Sequence, residues 1–366
     1  MSREVKEEGL RDQSTFDFAA DVSDVDTRYN VAVVGSTGLV GRTLLRVLYE
    51  RRFPIWELHL YASPESERSW IDTPLGEYYI ERLNPRKVQH HDLVFMAAGS
   101  SVARAWGWRF ARRGAVVIDK SAYFRDKPYA PLIVPEVNAD VLENHQGIVA
   151  NPNCTTIPLV TALSPLHKSF GLRRFTVVSF QSVSGCGKKG MLALERELED
   201  DNAEATVFPH RIADNVIPWI GSTTGTKRTY KGYSGEEIKM IRESRKILRL
   251  PRLSIQATAV RIPIMVGHSL AVHAGFSRSV SVEKAVAALN DAAGITVMDD
   301  PSTGEYPMPL VAAGRDDVLV GRIRRDRGRH SLALWITTDN LRKGAATNAV
   351  QIAEALRCGN MIKASA

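Results

Sequence analysis

"YNVAVVGSTGLVGRTLLRVLYERRF", Tyr29 to Phe53, opens on a run suited to a buried strand (Val31–Val34) and closes on apolar residues at helical spacing, Leu44, Leu45, Val47 and Leu48. Between them stand Gly35, Gly38 and Gly41, a G-x-x-G-x-x-G spacing. Glycine is wanted where a backbone must turn tightly and approach a pyrophosphate, with the helix N-terminus supplying N–H donors. Such a triplet is a weak signal alone. Set between a strand and a helix, it predicts a dinucleotide site.

Working outward, strand-like runs recur at Glu57–Ala62, Asp92–Ala98, Ala115–Asp119 and Pro131–Glu136, with helical material such as "ARAWGWRFARRG" between them. The alternation predicts a parallel, doubly wound α/β sheet. An NAD site usually ends its second strand in an acid that binds the ribose hydroxyls. Here that strand runs into "YASPESERSW", where Ser63 stands in the acid's place and Arg68 follows. A hydroxyl and a guanidinium suit a 2′-phosphate, so NADP is the expected cofactor, although Glu65 and Glu67 lie alongside.

After Cys154 the rhythm changes. "RFTVVSFQSVSG", "LSIQATAVRIPI", "LAVHAGFSRSV", "VLVGRIR" and "HSLALWITT" read as strands with fewer helices between, hence an α+β second domain with a mainly antiparallel sheet. The Ala-rich "NLRKGAATNAVQIAEAL" reads as a helix returning to the first domain. The expected division is a polar arm at 1–28, a dinucleotide domain at 29–154 plus 341–366, and a catalytic and dimerisation domain at 155–340.

The bulk properties narrow the classes. At 366 residues the chain has room for about two cores. It has no apolar run of membrane-spanning length, and its first residues resemble neither a signal nor a transit peptide. A cytoplasmic protein is expected. Three cysteines at unrelated spacings suggest neither a disulfide framework nor a metal site. The net charge of +7 suits anionic ligands, but the basic "GRIRRDRGRH" (Gly321–His330) lacks the aromatics of a nucleic-acid binder.

"IVANPNCTTIP" (Ile148–Pro158) places Cys154 after a short apolar strand and before a helix start. Helix N-terminal N–H groups lower a thiol's pKa and can hold an oxyanion, so Cys154 reads as a nucleophile. Gln181, Arg261 and His268 lie at or just beyond strand ends and supply candidate partners. Histidine can serve as acid or base near neutral pH, and an Arg fork grips a carboxylate. Glu236 and Lys239 are three apart at a helix start and share a face. They read either as an ordinary ion pair or as an ammonium-binding carboxylate beside a phosphate-binding lysine.

Taken together and in order, "GSTGLVG", "VIDKSAYFR", "PLIVPEVN", "NPNCTT", "QSVSG", "EEIKM", "VRIPIMVGHS", "VGRIRRD" and "DNLRKGAATNAVQIAE" resemble the aspartate-β-semialdehyde dehydrogenase family from about Tyr29 to Leu356. The resemblance implies a Rossmann domain plus an α+β catalytic and dimerisation domain, and a homodimer or homotetramer. The implied reaction is NADPH-dependent reductive dephosphorylation of L-aspartyl-4-phosphate to aspartate semialdehyde and phosphate. It also assigns roles by position. Cys154 matches the nucleophile, His268 the acid/base and Gln181 the glutamine that orients the substrate. Arg261 matches the carboxylate clamp and Glu236 the acid near the amino group. Arg125 and Lys239, with Asn153 beside them, match the phosphate-binding set. Gly35, Thr37, Gly38, Leu39, Val40, Gly41, Ser63, Arg68, Gly99, Ser184, Gly185 and Asn340 fall at cofactor positions. Lys120, Cys186 and Leu270 depart from the family pattern. An N-acetylglutamyl-phosphate reductase and a non-catalytic Rossmann paralogue are the alternatives. The first usually has Gly-Cys at its cysteine and needs no acid at Glu236; the second does not need Cys154, Gln181, Arg261 and His268 together.

Overall fold

The computed structural model describes residues 27–63, 69–86, 89–221 and 230–363. Nearly all of the expected polar arm, and Arg68, lie outside the described residues. β1 (Tyr29–Val34) leads through the glycine turn into α1 (Leu39–Glu50). β2 (Ile55–Tyr61) follows, then a hairpin of β3 (Trp70–Thr73) and β4 (Gly76–Glu81). β5 (Leu93–Met96), α2 (Ser100–Ala111), β6 (Val116–Asp119), α3 (Pro135–Asn138) and β7 (Ile148–Ala150) complete the first unit's sheet.

The seven strands run in the order β3-β4-β2-β1-β5-β6-β7 and are parallel except within the hairpin. Sequence order reverses beside β1, which opens a crevice at the carboxyl ends of β1 and β5 where such sheets bind ligands. Strand alternation explains the two packed faces. Val31 and Val33 join Leu44, Leu45, Val47 and Leu48 of α1 in one cluster. Ala32 and Val34 join Ala103 and Phe110 of α2 in another.

That second cluster continues through α4 (Thr156–Phe170) into the other unit. Gly171, at φ 71°, ends α4 in the left-handed conformation that glycine adopts freely. The chain then builds β8 (Leu172–Gln181), α5 (Lys188–Glu199), α6 (Gly235–Ile247), β9 (Ser254–Arg261) and β10 (His268–Phe276). α7 (Val282–Asn290), β11 (Ile295–Val297), α8 (Pro309–Ala312), β12 (Val318–Arg325) and β13 (Ser331–Thr338) follow. The second sheet runs β11-β12-β13-β10-β8-β9. Its three inner pairings are antiparallel, and its two outer ones, β11 with β12 and β8 with β9, are parallel. A π-helical turn at Arg342–Ala346 leads into α9 (Thr347–Cys358), which returns to the α1 face of the first sheet and buries Val350, Ile352, Ala353 and Leu356 there.

Two features differ from the sequence reading. Pro131–Glu136 is not a strand: Leu132 makes an isolated bridge to Ala150, and the chain turns helical at Pro135. Pro131 and Pro135 have no N–H to donate, so a full ladder cannot form there. The β3–β4 hairpin had no counterpart in the reading, because its outward positions carry Trp70 and Tyr79 rather than a clean polar alternation.

Candidate active site

The first half of the site is made mostly of backbone. Gly35 has φ 88°, and a Cβ there would lie 2.9 Å from the carbonyl of Ala97. At Gly41 a Cβ would fall 2.2 Å from the Gly35 oxygen. These glycines let β1, the turn and α1 close on one another. Thr37 and Gly38 form the turn, and Leu39 and Val40 are the first residues of α1. Gly38 is the N-cap and no side chain caps the helix, so side chains leave its first N–H groups to a ligand. Gly99 holds the same position before α2, again without a side-chain cap. Ser63 is exposed just past β2. A cradle that any Cβ would fill, at the switch point of a parallel sheet, fits a dinucleotide.

The second half is made of side chains. Gln181 ends β8 and Arg261 ends β9, and the two are partners on the last rung of that parallel pair. His268 begins β10, next to β8, where its neighbour Ser269 pairs with Phe180. Asn340 lies two residues past β13, whose Thr338 pairs with His268. Four adjacent strands thus deliver four polar side chains to one end of the sheet, and all four are buried. The short helical turn Val183–Cys186 carries Ser184 and Gly185 against this end. A Cβ at Gly185 would lie 2.8 Å from an Arg261 nitrogen and 3.6 Å from the His268 ring. Only a bare backbone fits.

α6 delivers the charges. Its N-terminus is fixed by a capping box between Ser234 and Glu237. The Glu237 carboxylate also accepts from the Ala259 N–H at 3.0 Å, which ties α6 to β9. One face of the helix then presents Glu236, Lys239 and Glu243. Glu236 accepts from Lys239 Nζ at 2.8 Å and from Asn153 Nδ2 at 2.7 Å. Glu243 accepts from the Asn153 N–H at 2.7 Å and from Arg125 at 3.0 Å. Arg125 also donates to the Lys120 carbonyl at 2.6 Å, while its buried Nε has no partner among the described residues. Arg261 donates to the Ser182 carbonyl at 2.6 Å and has no carboxylate in the described contacts. Glu236 and Lys239 therefore do form an ion pair, but its carboxylate is buried inside the site.

Cys154 sits half-buried between β7 and α4, ringed by Glu236, Arg125, Lys239 and Arg261. Burial pushes the thiol up to about 11 and Glu236 adds to the rise, while the three cations pull the other way. Lys120 also faces Cys154, and burial lowers its ammonium pKa. On the far side, a Cβ at Gly344 in the π-helical turn would come within 3.3 Å of the Cys154 Cβ. Burial, reinforced by Arg261, lowers the His268 pKa to about 3. Glu243, Ser182, Lys120 and Gly344 were not singled out as site residues from sequence. Glu243 sits four residues beyond Lys239, one helical turn away, and that spacing is the signal that could have found it.

A Rossmann-type crevice joined to a mostly antiparallel unit, with a cysteine at the junction, defines a two-domain nucleotide-dependent dehydrogenase. Two family models match in that order: the semialdehyde dehydrogenase NAD binding domain over residues 30–145 and the semialdehyde dehydrogenase dimerisation domain over 163–343. The aspartate-semialdehyde dehydrogenase of Aquifex aeolicus is 44% identical over 337 residues, covering 90% of this chain and 98% of the relative. The crystal structure of aspartate semialdehyde dehydrogenase II from Vibrio cholerae, complexed with ASA, superposes with a TM-score of 0.84 at 37% identity, covering 90% of this chain and 98% of that one. The enzyme from Candida albicans with NADP gives 0.71 at 25% identity, covering 92% and 100%. The chain belongs to the aspartate-semialdehyde dehydrogenase family, a family of oxidoreductases.

Proposed function

We propose that this chain reduces L-aspartyl-4-phosphate to L-aspartate-4-semialdehyde and phosphate, using NADPH, and catalyses the reverse reaction. The observation that carries the reading is the convergence of Gln181, Arg261 and His268 on one end of three neighbouring strands, with Arg261 close to Cys154. Gly35, Thr37, Gly38, Leu39, Val40, Gly41, Gly99, Ser184, Gly185 and Asn340 hold the cofactor. The hydroxyl of Ser63, where an NAD site would carry an acid, favours the 2′-phosphate. When bound, NADPH supplies hydride to the carbonyl carbon of the acyl group.

The protein's own residues do the rest. Arg261 grips the substrate carboxylate, Glu236 faces its ammonium, and Gln181 orients the acyl carbon. His268 takes the proton of the Cys154 thiol, the sulfur attacks that carbon, a C–S bond forms, and the C–O bond to phosphate breaks. The phosphate leaves with the bonding electrons toward Arg125 and Lys239, beside Asn153. Each cation has a carboxylate partner, so the excess positive charge is supplied by Arg261 and Lys120. N–H groups at the start of α4 hold the tetrahedral oxyanion. His268 supplies a proton as the C–S bond breaks and the aldehyde departs. Two or four copies assemble through the dimerisation domain, and the three cysteines, free of disulfides, suit a reducing cytoplasm.

The test runs the reaction backwards. NADPH absorbance is followed from semialdehyde, phosphate and NADP, with and without phosphate, for wild type and Cys154→Ser. Phosphate-dependent reduction of NADP that disappears in the variant is expected. Wild-type enzyme inert with both NADP and NAD would sink the proposal.

A further inference from the structure

Lys120, one of the residues that depart from the family pattern, stands where the two halves of the site meet. It directly follows β6, whose last residue Asp119 pairs with Ala150 of β7. Lys120 therefore runs beside the short stretch that leads from β7 to Cys154. Its N–H donates to the Met96 carbonyl at 3.2 Å and its carbonyl accepts from Arg125, so the backbone is held from both sides. The side chain lines a narrow cavity with Val40, Met96, Ala97, Ala345 and Ala346. These apolar walls cover its methylenes, as they do for lysines that keep a polar end out of apolar surroundings. Gly344, next to Ala345 in the π-helical turn, is the residue that packs against Cys154.

The charge on this lysine is uncommitted. Arg125 is paired with Glu243, and Lys239 with Glu236. Arg261 donates to the Ser182 carbonyl. The adjacent Asp119 carboxylate is occupied by the Ser121 N–H at 3.0 Å and the Ser121 hydroxyl at 2.8 Å. Among the described residues the Lys120 ammonium makes neither a hydrogen bond nor an ion pair.

We propose that Lys120 is the counter-charge of the Cys154 thiolate: its ammonium stabilises the sulfur anion that forms when the thiol gives up its proton, and so makes the nucleophile available at lower pH. The groups facing both partners agree with this. Burial lowers the pKa of the Lys120 ammonium, the Cys154 sulfur raises it, Arg125 lowers it and Asp119 raises it. The coupling is mutual, because a thiolate that favours the ammonium is favoured by it equally. Around the sulfur, Glu236 on α6 opposes the thiolate, while Arg125, Lys239 on α6 and Arg261 on β9 favour it. Arg125 and Lys239 are already held by carboxylates, which leaves Lys120 free to answer the new charge. The consequence for turnover rests on the proposed reaction, but the thiol's titration can be read without turnover.

The experiment is the rate of Cys154 alkylation by iodoacetamide, a neutral reagent, followed by mass spectrometry across a pH series in ligand-free enzyme. Wild type is compared with Lys120→Met and Lys120→Gln, which remove the charge and differ in polarity. In both variants the inflection is expected to move to higher pH, and alkylation below it to become about three- to tenfold slower. Cys186 and Cys358, read in the same samples, are expected to react as in wild type. An inflection that stays in place, one that moves in Lys120→Met and not in Lys120→Gln, or a slowing shared by all three cysteines would overturn the assignment. Wild-type enzyme inert in the phosphate assay would instead overturn the reaction and leave the alkylation readout standing.

Discussion

The nucleotide crevice and the charged cleft both lie at strand ends, but they are built from different material. The crevice works by leaving side chains out: Gly35, Gly38 and Gly41 clear a path for backbone N–H groups. The cleft works by crowding them in, with Asn153 bridging Glu236 and Glu243 and each of those carboxylates holding a cation. The first depends on side-chain atoms being absent. The second depends on each buried charge having a partner.

The largest effect expected is the one that separates the two regions most cleanly. Cys154→Ser should lower turnover by at least about a thousandfold while the NADPH dissociation constant, read by fluorescence titration, stays within a factor of about two. A parallel loss of cofactor affinity would show that cleft and crevice are one site. Next comes the junction. Lys343 is fully buried and donates at 2.6 Å to both Glu136 and Gln351. Lys343→Met leaves the buried Glu136 carboxylate with the Gln351 amide donor at 2.9 Å but without its cation, and should cost about 3–5 kcal/mol in denaturant unfolding. Adding Glu136→Met should recover most of it.

Gly41→Ala tests sensitivity to added atoms. The new methyl overlaps the Gly35 carbonyl, so stability should drop by about 1–3 kcal/mol and NADPH affinity by at least about tenfold. The rate at which Cys154 is alkylated, followed by mass spectrometry, should not change. Sensitivity to charge has a pH signature. Burial pushes the Glu236 carboxyl up, but Lys239, Asn153 and Arg125 together hold it below its ordinary value of 4.5. A depressed pKa gives stability that is present above the unfolded value and is lost as pH falls through the folded one. In Lys239→Met, acid unfolding should therefore begin at higher pH. The smallest effect is expected at the Arg51–Glu354 pair between α1 and α9, a two-bond contact at 2.7 Å on a partly exposed surface. Arg51→Ala should cost about 1 kcal/mol or less, less still in high salt.

The same contrast decides what the sequence could disclose. The glycine turn was legible because its constraint is local: three residues between a strand and a helix must lack side chains. Cys154 before a helix, and strands ending at Gln181 and Arg261, were legible for the same reason. Glu243 was not, because its meaning depends on Asn153 and Arg125, 90 and 118 residues away. The Cys154 thiol was legible only in part, because the helix start is visible in the sequence, whereas the burial and the Glu236 charge that push the thiol up arise from folding.

The return of α9 to the first sheet also fixes an order of events in synthesis. Arg51 waits 303 residues for Glu354, and the apolar face under α1 stays uncovered until Val350, Ile352 and Leu356 have been made. All six strands of the second sheet are synthesised before that happens. The unit that begins first is therefore finished last, and its half-built sheet is the stretch of the nascent chain that most needs protection from aggregation.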